Sequence, residues 1–285
     1  MPGSLSLPEK LGETGNAGFD YLELSIDESD EKLSRLEWTK DKICSLQSHI
    51  TETGIPVKSI CLSGHRRFPL GDPDPDIREK SLDIMEKALV LASRLGIGII
   101  QIAGYDVYYK PSTEDTVSYF TENLEKSIQM AAREGIILAF ETMETPFLDT
   151  VEKAANWTKK FSSPYLQIYP DTGNITNAAL LYGISVREDL QKGTGHIAAL
   201  HLKESKPGVY REVPYGEGHV NFKEAVMTAW NMGVRLYAAE FWYTPGDGSS
   251  GDYSSGDFSW RSVLHKNCRF LRNIIDDEYK KHADE

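Results

Sequence analysis

The sequence has few cysteines and no long apolar run, and each absence excludes a class of protein. Its three cysteines, Cys44, Cys61 and Cys268, form no C-x-x-C pair, so neither a disulfide framework nor a thiolate zinc site is expected. No run of about 18 apolar residues is present, and the first residues lack the basic flank and apolar stretch of a signal peptide. We therefore expect a cytoplasmic protein that has no membrane partner.

Positive charge is also scarce, because 43 acidic residues outnumber 31 basic ones and the formal net charge is -12. Proteins that bind a nucleic-acid backbone usually present a basic face, since binding releases counterions. We therefore expect no nucleic-acid partner. A small anionic substrate is still compatible with this charge, because a few local basic groups and backbone N–H groups suffice to bind one phosphate.

Short apolar segments alternate with longer segments of helical spacing, which is typical of repeated βα units around a parallel sheet. Seven segments are predicted as strands: 19–25, 57–62, 98–103, 136–141, 166–171, 197–201 and 236–240. The predicted helices are 33–53, 76–95, 113–133, 151–161, 221–232 and 260–284, with a weaker candidate at 184–193. The pattern covers almost the whole chain, so we expect residues 1–285 to form a single barrel domain.

A closed barrel of this type needs eight strands, and the strand that is not accounted for should precede Phe19. Residues 4–7 are short for a strand and are followed by Pro8. An open doubly wound sheet is the alternative, but neither a G-x-G-x-x-G turn nor a P-loop is present. The sequence therefore predicts a (β/α)₈ TIM barrel whose first strand is abbreviated or missing.

One segment differs in composition from the rest. Residues 245–258, between the last predicted strand and the last predicted helix, are rich in Gly, Ser and Asp. This composition predicts a flexible loop, which is interpreted either as a lid over the barrel mouth or as a surface insertion without function.

Four successive predicted strands end on residues that are common metal ligands: Glu141, Asp171, His201 and Glu240. The carboxyl ends of parallel barrel strands open onto one mouth, so these side chains should lie close together. Ionisable groups that end four strands would repel one another in a desolvated site unless a cation compensates them. Three carboxylates and one imidazole suit a divalent cation, and we expect Zn²⁺, with Mn²⁺ or Co²⁺ as alternatives.

A metal at this mouth predicts a proton-transfer chemistry. Adjacent oxygens of a ketose can chelate the ion, which acidifies the proton next to the carbonyl and stabilises the enediolate formed on its removal. Glu141 and Glu240 lie on well-separated strands, so one can remove the proton and the other can return it on the opposite face. The sequence leaves open which glutamate acts first.

Polar residues that follow the predicted strands are candidates for substrate binding. In the segment SGHRRFPLG, His65 can bond a hydroxyl and Arg66 can pair with a phosphate. An aromatic hydroxyl, an amide and two ammonium groups in later segments suit a sugar phosphate in the same way. These further candidates are Tyr105, Asn174, Lys203 and Lys206.

All of these candidates except His65 also have a purely structural interpretation. The arginine can form an ion pair with Asp72, Asp74 or Asp76, and the tyrosine can pack under a loop. Asn174 can cap the next helix, and the two lysines can be ordinary surface residues. The sequence does not decide between these interpretations.

Several stretches between residues 18 and 242 carry a resemblance to a known family. They include GFDYLELSIDESDEKLSRLEW, GHRRFPLG, AGYDVYY, YPDTGN and VPYGEG. The sequence resembles the L-xylulose-5-phosphate 3-epimerases, also called L-ribulose-5-phosphate 3-epimerases or hexulose-6-phosphate isomerases, of bacterial L-ascorbate catabolism. These proteins are xylose isomerase-like barrels.

The resemblance implies a zinc-dependent interconversion of L-xylulose 5-phosphate and L-ribulose 5-phosphate. By matched motif, the metal ligands are Glu141, Asp171, His201 and Glu240, with both glutamates catalytic. It also implies a homodimer, because related barrels are often dimers. An isomerase of hexulose 6-phosphate and a non-catalytic barrel that binds sugar phosphates are the alternatives, whereas an endonuclease IV-like nuclease is disfavoured by the acidic charge and seven histidines.

Overall fold

The structure is a computed structural model that describes residues 1–242 and 260–283. The strands are β1 (Leu22–Ser25), β2 (Val57–Leu62), β3 (Ile99–Ala103), β4 (Ile137–Glu141), β5 (Leu166–Tyr169), β6 (Leu200–Leu202) and β7 (Tyr237–Ala239). The helices are α1 (Leu7–Ala17), α2 (Asp30–Leu33), α3 (Lys40–Thr53), α4 (Pro75–Leu95), α5 (Glu114–Glu134), α6 (Val151–Phe161), α7 (Thr172–Tyr182), α8 (Val186–Lys192), α9 (Phe222–Asn231) and α10 (Trp260–Ala283). Within these ranges, no helix has the length and apolar character that a membrane span requires.

The strands follow one another around a barrel in chain order, and all pairs are parallel. Strands β1 to β5 form one sheet, and β6 pairs with β7. Two isolated bridges connect the chain around β5 to the chain around β6. Ile168 in β5 pairs with Ile197, which precedes β6, and Asp171, which follows β5, pairs with His201 in β6. The alternation of strands and helices that the sequence predicted is therefore confirmed.

The sequence predicted that the first of eight strands is abbreviated or missing. In the described residues no strand precedes β1. The segment that contains Pro8 forms helix α1 instead, because Ser6 caps its N-terminus in a capping box with Glu9 and Pro8 occupies its first turn. No backbone ladder joins β7 to β1 in residues 1–242 and 260–283. The barrel wall is therefore open between these two strands.

Two predictions of helices differ from the structure. The predicted helix 33–53 is divided, because a 3₁₀ turn at Ser34–Glu37 and an extended Trp38 (φ -63°, ψ 131°) precede α3, which Thr39 caps. Helix α7 was not predicted, since its first residues, Thr172, Gly173 and Asn174, are common in loops. The predicted loop 245–258 lies outside the described residues.

Alternation along the strands explains why the candidate ligands point into the barrel. Residues i and i+2 of a strand lie on the same face. One small cluster of apolar side chains fills the barrel interior: Ile99, Ala139, Tyr169, Ala199 and Ala238. Glu141, Asp171, His201 and Glu240 each follow a member of this cluster by two positions. The apolar layer therefore forms the floor beneath the four polar side chains.

Candidate metal centre and active-site pocket

The four side chains that end successive strands meet at the mouth of the barrel. One ligand atom of each, from Glu141, Asp171, His201 and Glu240, lies within 4.8 Å of the others. The Nδ1 atom of His201 faces this group, at 3.1 Å from Glu141 Oε1, 3.1 Å from Glu240 Oε2 and 4.0 Å from Asp171 Oδ2. The predicted convergence of these residues is confirmed.

The donors of this cluster fit a divalent cation. The Oδ2 atom of Asp171 is buried and has no hydrogen-bond partner, which is costly unless another group binds it. The Oδ1 atom is already engaged, because it accepts the backbone N–H of Asn174 at 2.7 Å as the N-cap of α7. Carboxylate oxygens with one imidazole nitrogen are ligands that Zn²⁺ and Mn²⁺ accept, so the four residues can hold such an ion.

Three carboxylates of the cluster lie close together, and the ammonium of Lys203 only partly offsets their negative charge. Burial raises the pKa of Asp171 to about 7 against the opposing effect of the Lys203 ammonium, and the carboxylates of Glu240 and Glu141 add to the rise. The pKa of Glu240 falls below its ordinary value although burial opposes this, because Lys203 and His201 are close. A cation would stabilise the ionised form of every carboxylate in this cluster.

A cavity of about 640 Å³ opens above the cluster. At the barrel mouth it is lined by Glu141, His201, Glu240 and several basic side chains. It continues into the open wall between β7 and β1, where Tyr21 and Tyr237 line it. The cavity is therefore large enough for a phosphorylated sugar, and its charged end is at the carboxyl ends of the strands.

Three of the predicted substrate-binding residues line this cavity: Arg66, Asn174 and Lys203. The Nε atom of Arg66 and the Oδ1 atom of Asn174 are buried and have no hydrogen-bond partner. The Nζ atom of Lys203 is 3.1 Å from Asp171 Oδ1. Their predicted contacts with substrate remain predictions, but each side chain is available to a ligand in the cavity.

The other three predicted residues do not line the cavity. His65 is buried, its Nε2 lies 3.1 Å from the carbonyl oxygen of Ser81 on α4, and burial lowers its pKa to about 4. Tyr105 is only 2% exposed, and its ring packs 5.1 Å from that of Tyr108. Lys206 is exposed on a turn that bonds back to Val209. These three side chains therefore lie outside the lining of the cavity, and their predicted contacts with substrate remain predictions.

The ion pairs of the basic segment differ from those that the sequence suggested. Arg66 lies 3.7 Å from Glu28, and the neighbouring Arg67 is 2.7 Å from Asp30. Asp72 is paired with Lys110 instead, at 2.9 Å. The partners of both arginines therefore come from the loop after β1 and the start of α2, which lie beside this segment in space and not in sequence.

The sequence alone did not single out three residues that line the cavity. Glu23 lies in β1 and contacts His201, whereas Glu144 and Arg211 form an ion pair of 2.7 Å near the mouth. An acidic residue between two leucines of a predicted strand was a usable signal for Glu23. Arg211 had no such signal, because it is one of many polar residues in a long loop.

Comparison with known proteins agrees with this geometry. A sequence model of the xylose isomerase-like TIM barrel family matches residues 13–250. The chain is 42% identical over 235 residues to the L-ribulose-5-phosphate 3-epimerase UlaE of Shigella boydii serotype 18, which covers 82% of this chain and 81% of that protein. The chain belongs to this family of xylose isomerase-like barrels. It is accordingly an enzyme of the isomerase class.

Solved structures with the same fold include other sugar epimerases. A D-psicose 3-epimerase crystallised with D-fructose superposes with a TM-score of 0.76 at 16% identity, over 95% of this chain and 94% of the other. The 3-keto-D-glucoside 4-epimerase YcjR of E. coli superposes with a TM-score of 0.74 at 17% identity, over 96% and 97% of the two chains. At this identity the similarity establishes the fold of the barrel.

Proposed function

We propose that the protein catalyses the metal-dependent C3 epimerisation of a ketopentose 5-phosphate, converting L-xylulose 5-phosphate to L-ribulose 5-phosphate. The observation that carries the proposal is the pair Glu141 and Glu240, which flank His201 Nδ1 at equal distances of 3.1 Å. The 42% identical relative is named for an epimerisation at C3. We further propose Zn²⁺ as the cation, with Mn²⁺ or Co²⁺ as alternatives, and a homodimer as the assembly.

The metal ligands would be Glu141, Asp171, His201 and Glu240. A divalent cation there would supply a Lewis acid that polarises the ketose carbonyl and makes the neighbouring C3 proton more acidic. Glu141 and Glu240 then divide the proton transfers: one, as a carboxylate, takes the proton from C3, and the other, which starts as a carboxylic acid, gives its proton to the opposite face of the planar enediolate. The configuration at C3 is inverted, and the substrate is otherwise unchanged.

Two other residues orient the substrate in this proposal. The Nζ atom of Lys203 is held beside Asp171, so its ammonium can donate to a substrate oxygen near the metal ligands. The side-chain amide of Asn174 donates to the carbonyl oxygen of Thr142 at 2.7 Å, which fixes the unpartnered Oδ1 atom as an acceptor for a hydroxyl. A sugar hydroxyl can use both residues, because it accepts a hydrogen bond from the ammonium and donates one to the amide oxygen.

The phosphate is assigned to two of the arginines that line the cavity, Arg66 and Arg211. The guanidinium of Arg66 lies 4.8 Å from the ring centre of Tyr108, and Arg211 donates to the hydroxyl of the same tyrosine at 3.1 Å. Among the described residues, Arg66 forms a salt bridge with Glu28 and Arg211 forms one with Glu144. The Nε–H of Arg66 has no hydrogen-bond partner, so it can donate to a phosphate oxygen.

Replacing Arg66 with Ala should raise the KM for a ketopentose 5-phosphate by about 30-fold, because a charged hydrogen bond is worth roughly 2 kcal/mol. The KM for the unphosphorylated ketopentose should change little. Steady-state kinetics on both substrates measure this difference. Arg67→Ala is the matched control, since Arg67 pairs with exposed Asp30 outside the cavity. Equal losses on both substrates would refute the phosphate assignment.

The proposed reaction predicts that the C3 proton of L-ribulose 5-phosphate exchanges with deuterated solvent as the C3 epimer forms. Removal of divalent cations with a chelator should stop both processes, and added Zn²⁺ should restore them. NMR follows exchange and epimer together. Exchange that is confined to the C1 protons of the ketose would favour an aldose–ketose isomerase. Metal-replete protein without exchange on pentulose or hexulose phosphates would leave only a binding barrel.

A further inference from the structure

The far side of the His201 ring carries a contact that the proposed reaction does not use. While Nδ1 faces the metal cluster, Nε2 lies 2.8 Å from Oε1 of Glu23 on β1. A carboxylate can only accept a hydrogen bond, and Nδ1 also faces carboxylates, those of Glu141 and Glu240. A cation held by the cluster would take the lone pair of Nδ1, which leaves the proton of the neutral imidazole on Nε2, where Glu23 accepts it.

The Glu23 carboxylate is itself fixed from the opposite side. Its Oε2 atom accepts hydrogen bonds from the hydroxyl of Ser59 at 2.5 Å and from that of Tyr169 at 3.0 Å. The ring of Tyr169 also packs against the His201 ring, with centroids 4.6 Å apart. Strands β1, β2 and β5 thus hold one acceptor in place for a histidine on β6.

We propose that Glu23 is a positioning residue that holds His201 in the Nε2-protonated tautomer and fixes its ring, so that Nδ1 binds the cation. A partner of this kind also makes the ligand nitrogen more basic, and losing it commonly weakens metal binding. The proposal rests on the metal centre of the proposed function. It assigns no proton transfer with the substrate to Glu23.

The distribution of polar groups favours this assignment over a further ligand. Glu23 contacts the nitrogen that faces away from the cluster, and it is not among the four residues whose ligand atoms lie within 4.8 Å of one another. Both of its oxygens already have partners within the barrel. The Asp171 carboxylate, in contrast, keeps one buried oxygen unpaired.

Zinc affinity, measured by competition with a chromogenic chelator on the purified chain, tests the proposal. We expect Glu23→Ala to weaken Zn²⁺ binding by about 10- to 100-fold. Glu23→Gln keeps a neutral acceptor for the imidazole N–H, so its loss should be smaller. This second variant carries the test if the alanine variant does not fold. Glu122→Ala, an exposed carboxylate on α5 that pairs with Lys126, is the control.

A second measurement separates positioning from a general loss of structure. In ¹⁵N-histidine NMR of the zinc-loaded wild type, the proton of His201 should reside on Nε2, and it should stay there in Glu23→Gln. Zinc affinities within twofold of the wild type in both variants would overturn the proposal, as would an Nδ1 proton in the wild type. Wild-type protein that binds zinc as expected but fails to epimerise pentulose phosphates would overturn only the proposed function.

Discussion

Replacing either Glu141 or Glu240 with Gln is expected to lower the epimerisation rate by about 10⁴-fold, because each variant lacks one of two proton-transfer groups and has a weaker metal ligand. The side chains of Glu141 and Glu240 are 9% and 29% exposed in the cavity, whereas that of Asp171 is 0% exposed. Of the three cluster carboxylates, the two glutamates are therefore the ones exposed to a sugar in the cavity. Rates are measured at saturating Zn²⁺ so that the metal site is filled.

Isotope exchange distinguishes the two glutamates from each other. Each epimer presents its C3 proton to a different carboxylate, so each Gln variant should still exchange the proton of one epimer without forming the other. Glu122→Gln, the same chemical change on the outside of α5, should keep the wild-type rate. Retention of more than a tenth of the wild-type epimerisation rate in both active-site variants would contradict the two-base assignment.

Gly218→Ala should destabilise the protein by about 3 kcal/mol, since the added methyl group would displace a buried carboxylate. A Cβ atom at Gly218 would overlap the Glu204 carboxylate and the carbonyl oxygen of Ser205. Glu204 is 2% exposed and accepts backbone N–H groups from Ser205, Gly216 and Val220 at 3.0–3.1 Å. The loop after β6 is wrapped around this side chain.

Thermal unfolding of the zinc-free proteins measures this effect without a contribution from metal binding. A loss of about 3 kcal/mol corresponds to a midpoint roughly 6–12 °C lower for a chain of this size. The matched control is Gly12→Ala on α1, where a Cβ atom has nothing within 4 Å and alanine favours the helix by up to about 1 kcal/mol. A midpoint for Gly218→Ala within 2 °C of the wild type would show that the loop accommodates the methyl group.

The open wall between β7 and β1 gives the cavity its shape. In the described residues the two strands lack a common ladder, and Tyr21, Leu22, Tyr237 and Ala238 line the cavity there. The metal cluster depends on strands β4 to β7, which are paired or bridged to their neighbours. The opening therefore leaves the four ligands in place and enlarges the space beside them.

The strand ends could be predicted because local pattern and chemistry agree there. Strand β2 and helix α6 have the bounds that the sequence predicted, Val57–Leu62 and Val151–Phe161. The strand that ends at Glu141 was predicted with one residue more at its start. Apolar segments that end on an ionisable residue recur four times, and parallel topology brings such ends together. The fold class and the four residues that can hold a metal ion therefore followed from sequence alone.

Side-chain direction in the loops could not be predicted in the same way. His65 and Arg66 are neighbours in one motif, yet His65 contacts α4 and Arg66 lines the cavity. The 3₁₀ turn at Ser63–Arg66 decides their directions, and no periodic pattern predicts it. The same applies to Lys206, which is directed to solvent three residues after cavity-lining Lys203.

The sequence by itself determined the βα alternation and the four residues that can hold a metal ion. These depend on order along the chain, which parallel strands convert directly into positions around one mouth. Only the tertiary structure decided that Glu23 contacts His201 and that Arg211 lines the same cavity as Arg66. The residues of these two pairs are 178 and 145 positions apart, and their placement depends on how the strands and loops pack.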